Sequence, residues 1–250
     1  MNLMRRNAFS RGCSAAFAAL AIAAIAVPAH ADTVTVINPG FEMTTAGTGQ
    51  LGFNTEVTGW TTAPVSFNIV YTPGTADTTG ATSQFGTNIQ LWGPGNGSAN
   101  GLGPSPNGGN YVAMDGGFNP GTISQTLNGL IVGDSVTVSF DYAGAQQSTR
   151  TGPTTEQLVV GLGGQTQSTP ILMNASEGFT GWQTDSFTFT ATSTSEVLSF
   201  LAVGTPAGVP PFTLLDGISV TQTPEPQSLV LFATGLIGVS GLVRRRFQKS

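Results

Sequence analysis

Between Asp32 and Thr223, apolar and polar residues change places at every second position in one short run after another. Val136, Val138 and Phe140 alternate with Thr137, Ser139 and Asp141, and Phe187 and Phe189 alternate with Ser186 and Thr188. A period of two places one face of a strand in a core and the other in water, as antiparallel sheets require. The pattern predicts strands at Thr33–Asn38, Asn110–Met114, Thr122–Leu127, Ser135–Tyr142, Gln157–Leu162, Trp182–Thr190, Val197–Val203 and Phe212–Thr221. Asn119-Pro120-Gly121, Gly133-Asp134 and Asp216-Gly217 read as turns among them. No amphipathic helix is visible in this body. Residues 93–109 (GPGNGSANGLGPSPNGG) read as a mobile surface excursion of the Ω type or a rim that meets a partner. The expectation is one all-β antiparallel sandwich over 32–223.

The alternation fails at both ends. Ser14–Val27 is an Ala-rich apolar stretch, preceded by Arg5, Arg6 and Arg11 and followed by Ala29-His30-Ala31. A basic head, an apolar middle and small residues at −3 and −1 predict a signal peptide over 1–31, removed by signal peptidase. Ser228–Val243 is a second apolar run, roughly 24 Å long as a helix against ~30 Å of hydrocarbon. Arg244, Arg245 and Arg246 behind it can snorkel and stay cytoplasmic. A transmembrane helix at about 228–243 is therefore expected, with the body outside the inner membrane.

Composition narrows the chemistry. Only 8% of the residues are charged, against about 25% in an ordinary soluble domain. The body holds twelve of the thirteen acids and one base, Arg150, a net charge of −11. Such a surface repels phosphate backbones, which excludes nucleic acid as a partner. The single cysteine, Cys13, and the single histidine, His30, both fall in the signal segment. A mature chain without them has no thiol or imidazole nucleophile, no disulfide and no ordinary zinc site. The glycine clusters lack the strand-to-helix context of a phosphate loop. A glycosidase needs two carboxylates ~5–10 Å apart, and nothing marks a pair among Glu56, Asp115, Asp141, Glu156, Glu177 and Asp185. No enzyme is expected.

Two resemblances add to this reading. Pro224-Glu225-Pro226, the apolar run and Arg244–Arg246, in that order, resemble the PEP-CTERM sorting signal of Gram-negative bacteria. The resemblance covers 224–250 and implies recognition by an exosortase and a place at the cell surface or in an exopolysaccharide matrix. In the body, Val36-Ile37-Asn38-Pro39-Gly40-Phe41-Glu42, Thr58-Gly59-Trp60, Gly121–Gln125, Gly181–Thr184 and Leu215–Val220 resemble galactose-binding-like jelly rolls, the fold of many carbohydrate-binding modules. That likeness implies two stacked sheets with the first and last strands adjacent.

It also implies a structural Ca²⁺ where those strands meet, which points to Glu42 and Asp216. Hard oxygen ligands suit calcium. The competing reading makes Glu42 a turn cap and Asp216 the start of an Asp-Gly turn. Trp60 and Trp182 read as edges of the core, and Trp92, at the mouth of the Gly-rich stretch, is the candidate for stacking on a sugar or for simple packing. The leading expectation is an exported, non-enzymatic structural or interaction protein of the envelope or matrix. Recognition of a surface polysaccharide is the alternative.

Overall fold

The computed structural model describes residues 31–224. One sheet runs β13 (Gln183–Thr190), β9 (Ser135–Gln146), β15 (Pro211–Thr223), β7 (Tyr111–Asp115), β4 (Asn68–Tyr71) and β2 (Gly49–Gln50), with β1 (Asp32–Val34) also on β15. The other runs β11 (Gln165–Ser168), β10 (Thr154–Leu162), β14 (Ser195–Thr205), β8 (Ile123–Asn128) and β3 (Thr61–Thr62), with β12 (Leu172–Asn174) on β10. A small hairpin joins β5 (Ala81–Thr82) to β6 (Asn88–Ile89). Every strand pairing is antiparallel, and β1 lies on β15 with Asp32 opposite Gln222. The first and last strands are thus neighbours in an antiparallel β-sandwich.

The inward faces meet in one core. Val136, Val138, Phe140 and Tyr142 of β9 face Leu158, Val160 and Leu162 of β10 and Leu198 and Phe200 of β14, all buried. Trp60 lies in this core, its ring 5.4 Å from Phe41 and 6.1 Å from Phe200. Such side chains each contribute roughly 1.5–3 kcal/mol by leaving water.

The larger sheet departs from simple alternation. From Phe140 to Gln146 every residue of β9 is buried, and β7 is buried throughout. A second apolar cluster coats the outer face here, made of Tyr71, Tyr111, Ala143, Ala145, Phe212 and Leu214 under Ile89 and Leu91. The Gly-rich stretch 93–109 is part of this cover rather than a loose excursion. Ser98 Oγ and Asn100 Nδ2 both donate to the Glu177 carbonyl at 2.8 Å, and Leu102 packs on the cluster. Its one helical turn among the described residues is Pro94–Asn96.

Two other expectations change. The first strand stops at Val34, and Asn38 already takes φ 54° in the turn that follows. Asp216-Gly217 does not reverse the chain. It is a bulge inside β15, where the register against β9 shifts between Asp216 and Ser219 and Gly217 takes φ 60°.

One open edge of the sandwich is closed by side chains. Gln165 and Gln167 of β11 donate through Nε2 to the carbonyls of Thr190 and Thr188 on edge strand β13, each at 2.7 Å. The expected signal segment and the apolar run 228–243 lie outside the described residues. Among those described, no helix is long and apolar enough to cross a membrane.

Candidate functional site

The turn after β1 sets Glu42. Asn38 holds it closed: its carbonyl accepts from Phe41 N at 3.1 Å, and its side chain accepts from Met43 N at 3.0 Å. Phe41 takes φ 60° and drives its ring into the core. The Glu42 carboxylate then swings over the end of the Gly-rich stretch, where Oε1 accepts from Asn110 N at 2.8 Å. Gly109, at φ 68°, lies so close that any Cβ there runs into this carboxylate.

Asp216 comes from the other end of the chain and from the same side. The bulge aims it at the turn, and Ile218 N donates to the Pro39 carbonyl at 3.1 Å. Ser105 Oγ donates to Asp216 Oδ2, while Oδ1 is buried without a partner. A methyl group on Gly40 would stand 3.5 Å from Asp216 Oδ1 and 3.6 Å from Glu42 Oε1, so both expected calcium ligands face that glycine.

A third acid joins them. Asp141 of β9 is the cross-strand partner of Asp216, and its two oxygens accept from Thr184 Oγ1 and Asn107 Nδ2 at 2.5 Å each. Burial raises the Asp216 pKa to about 6; the charges of Glu42 and Asp141 push it the same way, against hydrogen bonds from Ser105 and the Gly217 N–H. Among the described residues no group of three or more His, Cys, Asp or Glu side chains is arranged to hold a metal by itself. A cation here would need backbone or water oxygens as well.

Trp92 sits elsewhere. Its backbone N donates to the Gln146 carbonyl at 2.9 Å, and Nε1 donates to the Arg150 carbonyl at 2.7 Å. That is the end of β9 beyond Asp141, so Trp92 and the acids are not one site. Trp92 is half-buried. Trp182 packs against Tyr111 and Phe179, with ring centroids 5.5 and 6.5 Å apart.

Two of the remaining acids are engaged in turns. Asp115 accepts from the N–H groups of Gly117, Phe118 and Asn119 at 2.8–3.1 Å. Glu196 accepts from Thr192 N at 2.7 Å and Ser193 N at 2.9 Å. Glu156 points between the sheets at Gly144, bonds Thr154 and, like Glu196, leaves Oε2 buried and unpartnered; burial pushes its pKa up to about 7.

The sorting motif abuts the sandwich. β15 ends at Thr223, so Pro224 follows the last paired residue directly. Glu225, Pro226, Arg244, Arg245 and Arg246 lie outside the described residues.

The fold and its paired terminal strands define a jelly-roll-like β-sandwich. Residues 222–246 match the model of the PEP-CTERM protein-sorting motif, so the chain carries that motif. No curated protein matches the sequence. Among solved structures, the chain is similar to TmCBM61 in complex with beta-1,4-galactotriose, at 17% identity, 75% of this chain, 97% of that one and TM-score 0.39. It is similar to the K3 adhesin domain of Lys-gingipain from Porphyromonas gingivalis, at 11% identity, 77% and 99% coverage and TM-score 0.41. The CBM22-1 xylan-binding domain from Paenibacillus barcinonensis Xyn10C aligns at 12% identity, 74% and 92% coverage and TM-score 0.36. These likenesses are too distant to carry a ligand or an activity across.

Proposed function

We infer that this chain is an exported, non-enzymatic protein of the cell envelope or exopolysaccharide matrix, sorted through its tail by an exosortase. The match of the PEP-CTERM motif to 222–246 carries the reading. In this reading signal peptidase removes 1–31, the body 32–223 stands outside the inner membrane, and 224–250 anchors the precursor until it is processed. The body's strands close without the tail, as release requires. In a host with an exosortase, the full chain should yield a shorter form lacking the tail, and Glu225→Ala should block that step. Intact carboxyl-terminal sequence on chain recovered from the medium would sink the reading.

In this reading the body acts by contact rather than catalysis, and the engagement of Asp115 by three backbone N–H groups fits that. Assays for reducing ends released from envelope polysaccharides test this. Glu42 and Asp216 are the proposed protein ligands of a structural Ca²⁺, and the orphaned buried Oδ1 of Asp216 supports this. Polysaccharide recognition is the second reading, favoured by the half-buried Trp92. Saturable binding to one glycan class, lost in Trp92→Ala with the melting temperature kept, would support it.

A further inference from the structure

Both ends of the body leave at one pole. Asp32 is opposite Gln222, and Thr223 is opposite Ser135 at the start of β9. The turn between β8 and β9 forms the same pole and is bonded to the root of the tail. Gln222 Oε1 accepts from Ile131 N at 3.1 Å, and Gln222 Nε2 donates to the Gly129 carbonyl at 3.3 Å.

The tip of that turn is apolar. Ile131 is 53% exposed and Val132 60% exposed. Single exposed aliphatics need no explanation, but these are consecutive and held outward. Leu130 is buried beneath them, Asp134 N donates to the Ile131 carbonyl at 3.0 Å, and Gly133 N donates to the Ala191 carbonyl at 2.9 Å. The turn cannot fold them inward without breaking those bonds. Nearby, Asp134 and Glu196 are buried, which leaves Asp32 as the exposed charge beside the tail root among the described residues; Glu225 follows in the linker.

Only residues 224–227 separate β15 from the apolar run 228–243. Four residues reach at most about 14 Å when fully extended. An anchored tail therefore keeps this pole within about 14 Å of the hydrocarbon edge, where a short reach makes even a weak apolar contact frequent. We propose that Ile131 and Val132 are a lipid-contacting tip that seats the anchored precursor on the membrane, beside the point where its tail enters. The inference rests on the anchor reading above. It gives the body an orientation: the turns joining β14 to β15, at the far end of the last strand, face away from the membrane.

The test uses the full chain with Cys13→Ser, reconstituted in phosphatidylcholine vesicles, with one thiol at a time carrying an environment-sensitive fluorophore. Val132→Cys probes the tip. Gly208→Cys, where a Cβ meets nothing within 4 Å, probes the far pole. Ala233→Cys reports on the tail. The proposal expects blue-shifted emission at 132 that is lost when shallow spin-labelled lipid is added, with neither effect at 208. Quenching at 233 but not at 132 overturns the tip while the anchor stands. A blue shift at 132 without lipid quenching means that protein, a second copy included, covers the tip, and also overturns it. No quenching at 233 overturns the anchor and the tip together.

Discussion

Asp216 faces Asp141 directly across β15 and β9, and Glu42 reaches the same spot from the turn after β1. Three acids from three parts of the chain thus share one corner beneath the Gly-rich cover. Ser105, Asn107 and Thr184 donate to two of them, yet Asp216 Oδ1 stays unpaired. The arrangement costs stability whenever Asp216 is ionised without a counter-charge.

Melting in EDTA reads that cost. The Asp216 pKa is about 6 in the folded protein, against about 3.9 when unfolded. Its contribution is fully favourable below the unfolded value and is lost as pH rises through the folded one. The melting temperature in EDTA should therefore rise as pH falls from about 7.5 to about 5. Excess Ca²⁺ should raise it chiefly at the upper end of that range, and Asp216→Asn should abolish the calcium response. A midpoint indifferent to Ca²⁺ at every pH would falsify the cation site.

Glu156 contributes to the same slope by a different route. Burial pushes its pKa up to about 7, and among the described residues its Oε2 has no hydrogen-bond partner. The sign is the same, with stability lost as pH rises through about 7. Glu156→Gln should flatten the pH dependence of melting while the response to Ca²⁺ persists. Loss of the calcium response in this variant would show that the two acids are coupled and that their separate treatment is wrong.

The long strands are legible in the sequence because β13, β14 and the first half of β9 each keep one wet face, so the period survives. Glu156 is written in the same code: it shares its parity with Leu158, Val160 and Leu162, all buried. An expected strand starting at Gln157 hides it by one residue. Strands β2, β3, β5 and β6 have two residues each, too few for any period. The double burial of β7 and of the second half of β9 depends on a cover drawn from a Gly-rich stretch without periodicity. Glu42 and Asp216 are legible only through the family resemblance. Asp141, Ser105 and Asn107 join them across up to 111 positions, as the Ser105–Asp216 bond shows. No local pattern encodes that.

Gly109 tests whether the Glu42 corner is built as described. Alanine at φ 68° carries the left-handed penalty and a clash with the Glu42 carboxylate. Gly101 has φ 81° and open space around a Cβ, so Gly101→Ala isolates the backbone penalty of roughly 1 kcal/mol. In urea titrations Gly109→Ala should lose clearly more than Gly101→Ala, and its stabilisation by Ca²⁺ should weaken. Equal losses in the two variants would mean that the Glu42 carboxylate moves aside freely and defines no site.

The glutamine pair on β11 makes the last prediction. Edge strands present unpaired carbonyls and invite pairing with another chain. Here Gln165 and Gln167 occupy the Thr190 and Thr188 carbonyls of β13. Both bonds are solvent-exposed, so each should contribute no more than about 1 kcal/mol. Gln165→Ala with Gln167→Ala should therefore lower stability by about 1–2 kcal/mol in denaturant titration. The larger effect should be on association. β13 carries Thr184, Ser186, Thr188 and Thr190 with few charges, so its uncovered edge lacks the repulsion that usually blunts such strands. Sedimentation velocity at rising concentration should show the double variant forming dimers or larger species where the wild type does not. A double variant as unassociated as the wild type would mean that the twist of β13, rather than the glutamine cover, protects this edge.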